Sequence, residues 1–460
     1  MRTIKDLRDL WLPVAGLGLA ITFGVPDAGA AQEVTYAGDV AHILQENCVR
    51  CHRPGTAAPM SLQTYEQVRP WAPMIREAVV NRMMPPGWYV DRTVGIQDFK
   101  NDPSLPDEVI QTIATWVDSG MPMGDPSLLP EPVEWRAEHE YWQLEDDQGW
   151  GPPDLILTSP GYTVPAASGD QWWEPDVPIN NVLDTPLIDS RWVRAVETRP
   201  ADAESGYVFH HANTFIARQG DTWEGGGRLS GAAVGKRMDM YPADSGKLLL
   251  PDDIVRFALH LYPIGREVAD ARIQVGIWLY PENQEPEYVT PDEISFNSGE
   301  SRDLGLPRYT DLLIPPNGYQ LLRGHFVLED NARVHSIRGH MHLRGGYQMM
   351  EVVYPDGRRE VINKIDWNHL WHTTHVYEDW AQPLLPKGTL IIATSLLDNT
   401  ANNPSNPDPD QWVVYGRRSA SEMAHVRFGM TYIPDDDFEE MVAERERILR
   451  DRETRPAADQ

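Results

Sequence analysis

The chain has 460 residues, 41% of them hydrophobic, with a formal charge of −29 and a pI of about 4.8. That length holds several cores of ordinary size, and that acidity excludes nucleic acid as a partner bound through a general basic field. The two cysteines both fall in "CVRCH", so the chain has no disulfide framework; they have one local task.

Residues 1–30 carry Arg2, Lys5 and Arg8, then a mostly apolar run from Leu10 to Val25, then Ala28-Gly29-Ala30. This is the pattern of a secretory signal peptide. The competing reading, an uncleaved anchor, asks for a longer unbroken apolar run than this one, which Gly and Pro interrupt. No later stretch is long and apolar enough for a stable membrane span, so a soluble protein is expected, periplasmic or secreted.

Residues 34–125 read as a small all-α module. Asp39 to Asn47 can form a helix leading into Cys48-x-x-Cys51-His52, the attachment sequence of a c-type haem. The thiols add across the haem vinyl groups and His52 becomes the proximal iron ligand. A thioredoxin-like redox pair would need a βαβ surround, and none is visible. "LPDEVIQTIATWVDSG" closes the module as a helix, with Pro106, Asp107 and Glu108 in its first turn and Gly120 after its end. Val109, Ile110, Ile113, Trp116 and Val117 form its apolar face. Candidates for the sixth iron ligand are Met60, Met74, Met83, Met84, Met121, Met123 and His42. Met84 is favoured because Pro85-Pro86 stiffens the segment that presents it. Packing is the ordinary role of the other methionines. Residues 126–153, rich in Pro and acid, read as a linker partly packed on its neighbours.

From Asp154 to about Pro434 the helical period nearly vanishes. Short β-patterned runs such as 272–280 and 388–397 alternate with turn residues, and "YQMMEVVYPDGRREVIN" reads as a hairpin turning at Pro355-Asp356-Gly357. Many short strands over some 280 residues predict two all-β jelly rolls, or β-sandwiches, at 154–285 and 286–436. A charged helix and tail, 437–460, end the chain.

The fourteen histidines are unevenly placed. In "VRFALHLYP" the core face takes Val255, Phe257, Leu259 and Leu261, which turns His260 the other way. His210 and His211 are adjacent, so a regular strand sends them to opposite faces. They reach one metal ion only at a bulge or a strand end. In "VHSIRGHMHLRG" Arg338, His340, His342 and Arg344 share one face at period two. In "EMAHVRFGMTYIP" Met423, His425 and Arg427 share the polar face. A thioether there favours copper(I) over zinc, although a packing methionine is the base-rate reading. His369, His372 and His375 stand three apart. If that stretch is a strand they alternate faces, so one site is not expected. His325 and His335 are read as surface or supporting residues and His425 as lining a cleft. Asp398, Asn399, Asn402 and Asn406 are read as fixing loop backbone through Asx turns.

His-His, then "LHLYP", then "HMHLRG", then "EMAHV", in that order, resemble the copper type II, ascorbate-dependent monooxygenases, the family of peptidylglycine α-hydroxylating and dopamine β-monooxygenases. "WGPPDLILTSPGYTVPA", "VVYPDGRR" and "DNTANNPSNPDPD" look like bacterial relatives in which a cytochrome c module comes first. The resemblance covers most of 34–434. It implies two copper ions facing each other across a solvent-filled cleft. His210, His211 and His260 match the electron-transferring site. His340, His342 and Met423 match the site that binds O2 and oxidises substrate. Arg338 matches an arginine that holds a substrate carboxylate. Ala424 stands where animal members have cysteine, and Arg427 where the peptide-hydroxylating members have a substrate-binding tyrosine. That departure points away from a peptide and toward a small anionic substrate held by Arg338 and Arg427. The expected function is hydroxylation of a small organic molecule with O2. The haem c module would relay electrons from a periplasmic donor. The rival readings are a non-catalytic periplasmic copper-binding or electron-transfer protein, and an oxidase with another metal in the histidine sites.

Overall fold

The computed structural model describes residues 33–54, 56, 58, 60–86, 90–100, 102–146, 149–218, 227–233, 235–290, 294–297 (backbone), 312–369 and 371–454. The expected signal peptide and the end of the tail lie outside the described residues. The described chain is mostly β-sheet with few helices.

Helices gather at the start. Tyr36–Val40 runs into Ala41–Asn47, and Ala72–Val80 and Asp107–Asp118 pack beside it. Their apolar faces meet in one core that includes Leu44, Val68, Ile75, Ile113 and Trp116. Burial of each such side chain contributes about 1.5–3 kcal/mol. The last helix begins after Pro106 with two acids in its first turn, and stops before Gly120, whose φ of +91° suits a glycine beyond a helix end.

Residues 90–100 depart from the all-helical expectation for 34–125. They lie along the second β unit, with bridges Val90 to Ile365 and Phe99 to Tyr377. Gln97 Nε2 donates to Ile362 O at 2.8 Å, and Val90 and Phe99 enter that unit's core. The linker is likewise anchored. Trp142 meets Trp278 edge-on at 6.0 Å, and the Gln143 and Leu144 N–H groups each donate to the buried Glu197 carboxylate at 3.0 Å.

The first β unit places two sheets face to face. One orders Leu155–Thr158, Ile273–Leu279, Arg191–Pro200, Ser245–Leu249 and Tyr288–Val289. The other orders Gln171–Trp173, Ile254–Leu261, Phe209–Ala217 and Gly227–Ala233. Val193, Val275 and Ile277 from one meet Val255, Phe257 and Leu259 from the other. Tyr288–Val289 adds a short parallel strand to Ser245–Leu249, while Tyr288 also packs on Ile433 and Phe438. A short helix, Ala203–Val208, interrupts the strands that the sequence pattern suggested.

The second unit repeats the plan. Ile294–Asn297, Ala424–Tyr432, Ala332–Met341 and His375–Val376 form one sheet, and Tyr319–Val327, Leu390–Asp398, Gly345–Val353 and Arg359–Asp366 the other. Ile337, Val426, Phe428 and Met430 pack on Met350, Val352 and Ile391 between them. The expected hairpin is there, with Gly357 at φ +86° in its turn. A charged helix, Asp435–Thr454, follows.

Candidate metal centre

Strand alternation sets the first histidine cluster. Val255, Phe257, Leu259 and Leu261 fill the core, so His260 projects from the opposite face. His211 lies directly across from it, but the next pair is Leu261 with Phe209, so His210 is an extra residue. This bulge is the irregularity that two adjacent histidines need in order to converge. His210 Nδ1 stands 3.2 Å from His260 Nδ1, and ligand nitrogens of all three residues lie within 4.8 Å of one another. Nitrogens bound at about 2.0–2.1 Å to one tetrahedral ion sit roughly 3.3 Å apart, so the closest pair already has coordination spacing.

The cluster is enclosed. Trp172 stacks on the His260 ring at 3.9 Å, and Asp170 Oδ2 lies 3.4 Å from His260 Nε2. A carboxylate behind a histidine turns the other ring nitrogen toward a metal. Burial lowers the pKa of all three, holding His211 well below the ordinary value and His260 at about 4. They are neutral at pH 7, as ligands must be.

The second cluster starts from Ala332–Met341. Arg338 and His340 face away from the core that takes Ile337, and His342 follows beyond the strand end. The His340 and His342 rings meet edge-on at 5.2 Å. Met341 pairs with Ala424, which sets Met423 level with His342 along the neighbouring chain. His425 is opposite His340, its ring parallel at 5.7 Å, and Arg427 is opposite Arg338. Burial depresses His340 far below the usual range and His425 to about 3.

Two residues here escaped the sequence reading. Glu422, fully buried, accepts the N–H groups of Arg344 and Met423 at 2.9 Å each, and that of His342. One carboxylate thus ties together the backbones that carry two expected ligands. Its acid position beside Met423 was the only signal. The other is His372. Residues 367–369 and 371–374 are loop, and the strand that follows is His375–Val376, so the alternation argument does not apply to them. His372 Nδ1 reaches 3.3 Å from His340 Nδ1, whereas His375 is buried elsewhere, against Phe99. Among the described residues, only His210, His211 and His260 bring three such ligand atoms within 4.8 Å.

The two sandwiches touch beside these clusters. Arg417 of the second lies over the Trp172 ring at 3.9 Å and pairs with Glu174. Tyr262 reaches Ser419 at 3.4 Å. Burial is the main cause of the low pKa of His372 and nearness to His210 the next, and His372 in turn acts on His211. Arg338 likewise helps lower the buried Lys236 of the first sandwich, behind burial and against Asp239. Loop residues follow the Asx expectation in part: Asp398 accepts from Thr400 N and Asn406 from Asp408 N, while Asn399 instead bridges Pro315 O and Gln411 O.

In the helical segment, Cys48 and Cys51 are unbridged and lie on one turn, with His52 N bonded to Cys48 O at 2.9 Å. His52 Nδ1 is 3.2 Å from Met60 O, which leaves Nε2 free. Burial pushes the Cys48 thiol up to about 12. Met84 is 41% exposed, and Met83, Met74 and Val80 are exposed too.

No family model matches the chain, and no curated protein matches it. Solved structures give faint likenesses only. A structure of infectious bursal disease virus, Gt strain, is 10% identical over 61% of this chain and 72% of that one, with a TM-score of 0.15. Procruciferin, an 11S globulin from Brassica napus, is 10% identical over 61% and 83%, TM-score 0.13. Oxalate decarboxylase from Bacillus subtilis is 8% identical over 60% and 76%, TM-score 0.13. Likenesses this slight carry no argument about this chain.

Proposed function

We propose that this chain is an exported copper monooxygenase with an attached c-type haem, hydroxylating a small anionic organic substrate with O2. In this reading residues 34–125 are a cytochrome c-like module and the two sandwiches are jelly-roll copper domains. The observation that carries it is the bulge at His210, which gathers His210, His211 and His260 into one cluster. The donor sets suit their groups. Neutral imidazoles accept both copper oxidation states, and the thioether of Met423 favours the reduced one. Two unpaired thiols on one turn and an anchored His52 suit a covalently held haem. When bound, the copper ions and haem supply one-electron chemistry and the reaction with O2.

The protein's own residues do the rest. Asp170 and Trp172 orient His260, and Glu422 holds the chain at His342 and Met423. Arg338 and Arg427 stand directly opposite each other on the His340 face. Two guanidinium groups on one face suit a carboxylate or phosphate as substrate. The substrate would lie there, beside the second site. Arg338→Gln should then weaken binding of an anionic substrate and spare a neutral one.

The test is elemental analysis of protein exported from a host able to attach haem c, followed by an oxygen-uptake screen. Two coppers per haem with substrate-dependent uptake is the expected result. Haem without copper after reconstitution would overturn the oxygenase reading and leave a cytochrome joined to a β-sandwich binding module. Copper without turnover over a broad substrate panel would instead mark a copper-binding or electron-transfer protein.

A further inference from the structure

We infer that His372 is a positioning residue of the second metal site, holding His340 by an imidazole–imidazole hydrogen bond and fixing which His340 nitrogen faces the ion. This rests on the reading of His340, His342 and Met423 as a copper site.

The two Nδ1 atoms stand 3.3 Å apart and the ring centroids 5.2 Å. Two imidazole nitrogens at that distance either share one ion, as read for the first cluster, or form a hydrogen bond in which one is N–H and the other a bare acceptor. With His340 Nδ1 as the donor, its Nε2 is the bare nitrogen, the one that would be left to hold an ion. His342 has the same polarity by a separate device. Its Nδ1 lies 3.2 Å from Ser421 O, which can only accept, so its Nε2 is bare as well. Both histidines thus present the same kind of nitrogen. The outer partner of a ligating histidine is usually a carboxylate, carbonyl or water. At His340 it is a second imidazole.

The alternative, His372 as a ligand, fits less well. His340, His342 and His372 do not bring three nitrogens together as the first cluster does. The position of His372 is itself well fixed. Trp367 meets its ring edge-on at 5.2 Å and donates Nε1–H to His342 O at 2.8 Å. Trp371 fills the space beside Gly235, where a β-carbon would fall 2.3 Å from its ring. The loop that carries His372 is therefore seated on the first sandwich while it holds a histidine of the second.

The experiment uses the full haem-loaded chain, stripped of copper and reloaded, as wild type, His372→Ala and His372→Gln. The glutamine carbonyl can still accept from His340 Nδ1. Copper stoichiometry, competition with a copper chelator and the Cu(II) paramagnetic resonance spectrum are read together. His372→Ala should weaken one of two coppers by about 10–100-fold and change its spectrum, and His372→Gln should restore most of both. The other copper should keep its affinity, which reports an intact fold. Unchanged affinity and spectrum in His372→Ala would overturn the inference, as would a glutamine variant no better than alanine. If alanine disturbs both coppers, glutamine alone decides, by binding both normally or failing at the second. A wild type that takes up no copper, or loses none with His340→Ala, sinks the functional reading itself.

Discussion

The two histidine clusters differ in how much chain each needs. The first is made by one strand pair, a bulge at His210 and a covering Trp172. The second draws on a strand end, the start of another strand, a buried Glu422 and a loop carrying His372. A cluster fixed by backbone pairing converges wherever the register is right. A cluster assembled from loop ends depends on the polar groups that pin those ends. Substitutions away from the ligands should therefore damage the second site more than the first.

The largest expected effect is at Glu422. In Glu422→Ala one buried and two part-buried N–H groups lose their acceptor, which should destabilise the protein by about 3–5 kcal/mol. The second copper should be lost while the first stays. Glu422→Gln keeps an acceptor oxygen and should be much milder. Chemical denaturation alongside copper analysis checks this, and equal retention of both coppers in the alanine variant would end the proposed contrast. At the first site, Trp172→Ala removes a ring stacked on His260 and should cost about 1–3 kcal/mol. It should loosen the first copper and leave the second in place.

The contrast also explains what was legible in the sequence. Period-two alternation around His260 and His340 is written in residue types, so both faces were readable, as were the hairpin at Gly357 and the closing helix. The convergence of His210 with His211 was readable only as a condition, because a bulge leaves no mark in composition. His372 was hidden because a strand was assumed where the chain forms a loop, and alternation does not constrain a loop. Glu422 was hidden because a buried carboxylate serving backbone N–H groups resembles any surface acid. Residues 90–100 sit on the second sandwich through pairings far apart in sequence, which no local pattern encodes.

Acid should separate the two sites next. Burial lowers His260 and His372 to about 4 and His425 to about 3, against 6.5 for an exposed ring. Below pH 6.5 the unfolded chain takes protons that the folded one refuses, so the copper-free protein loses stability as the pH falls from 6.5 toward 3. Burial raises Glu422 to about 7, which works in the other direction. The unfolded chain gives up that proton from about pH 4.5, so this group lowers stability as the pH rises from there through 7. His425→Phe should flatten the acid limb and Glu422→Gln the rise side, both read as denaturation midpoints across pH 3–8. First-site variants should leave the rise side unchanged.

The smallest expected effect tests whether the sites act on each other. Arg417 lies over Trp172, which stacks on His260, and the same segment runs on to Ser421, Glu422 and Met423. One short stretch thus rests on the first cluster and holds the second. A guanidinium over an indole contributes about 0.5–2 kcal/mol, and the exposed pair with Glu174 adds little. Arg417→Met keeps the alkyl stem and removes the charge, so stability should fall by about 1 kcal/mol or less. The telling quantity is coupling rather than stability. If the segment transmits occupancy, filling the first site should tighten the second in the wild type and do so less in Arg417→Met, a difference that copper titration of single-site variants can measure. Equal titrations would show two sites that share an interface and nothing more, with the second site's order supplied by Glu422 and His372 alone.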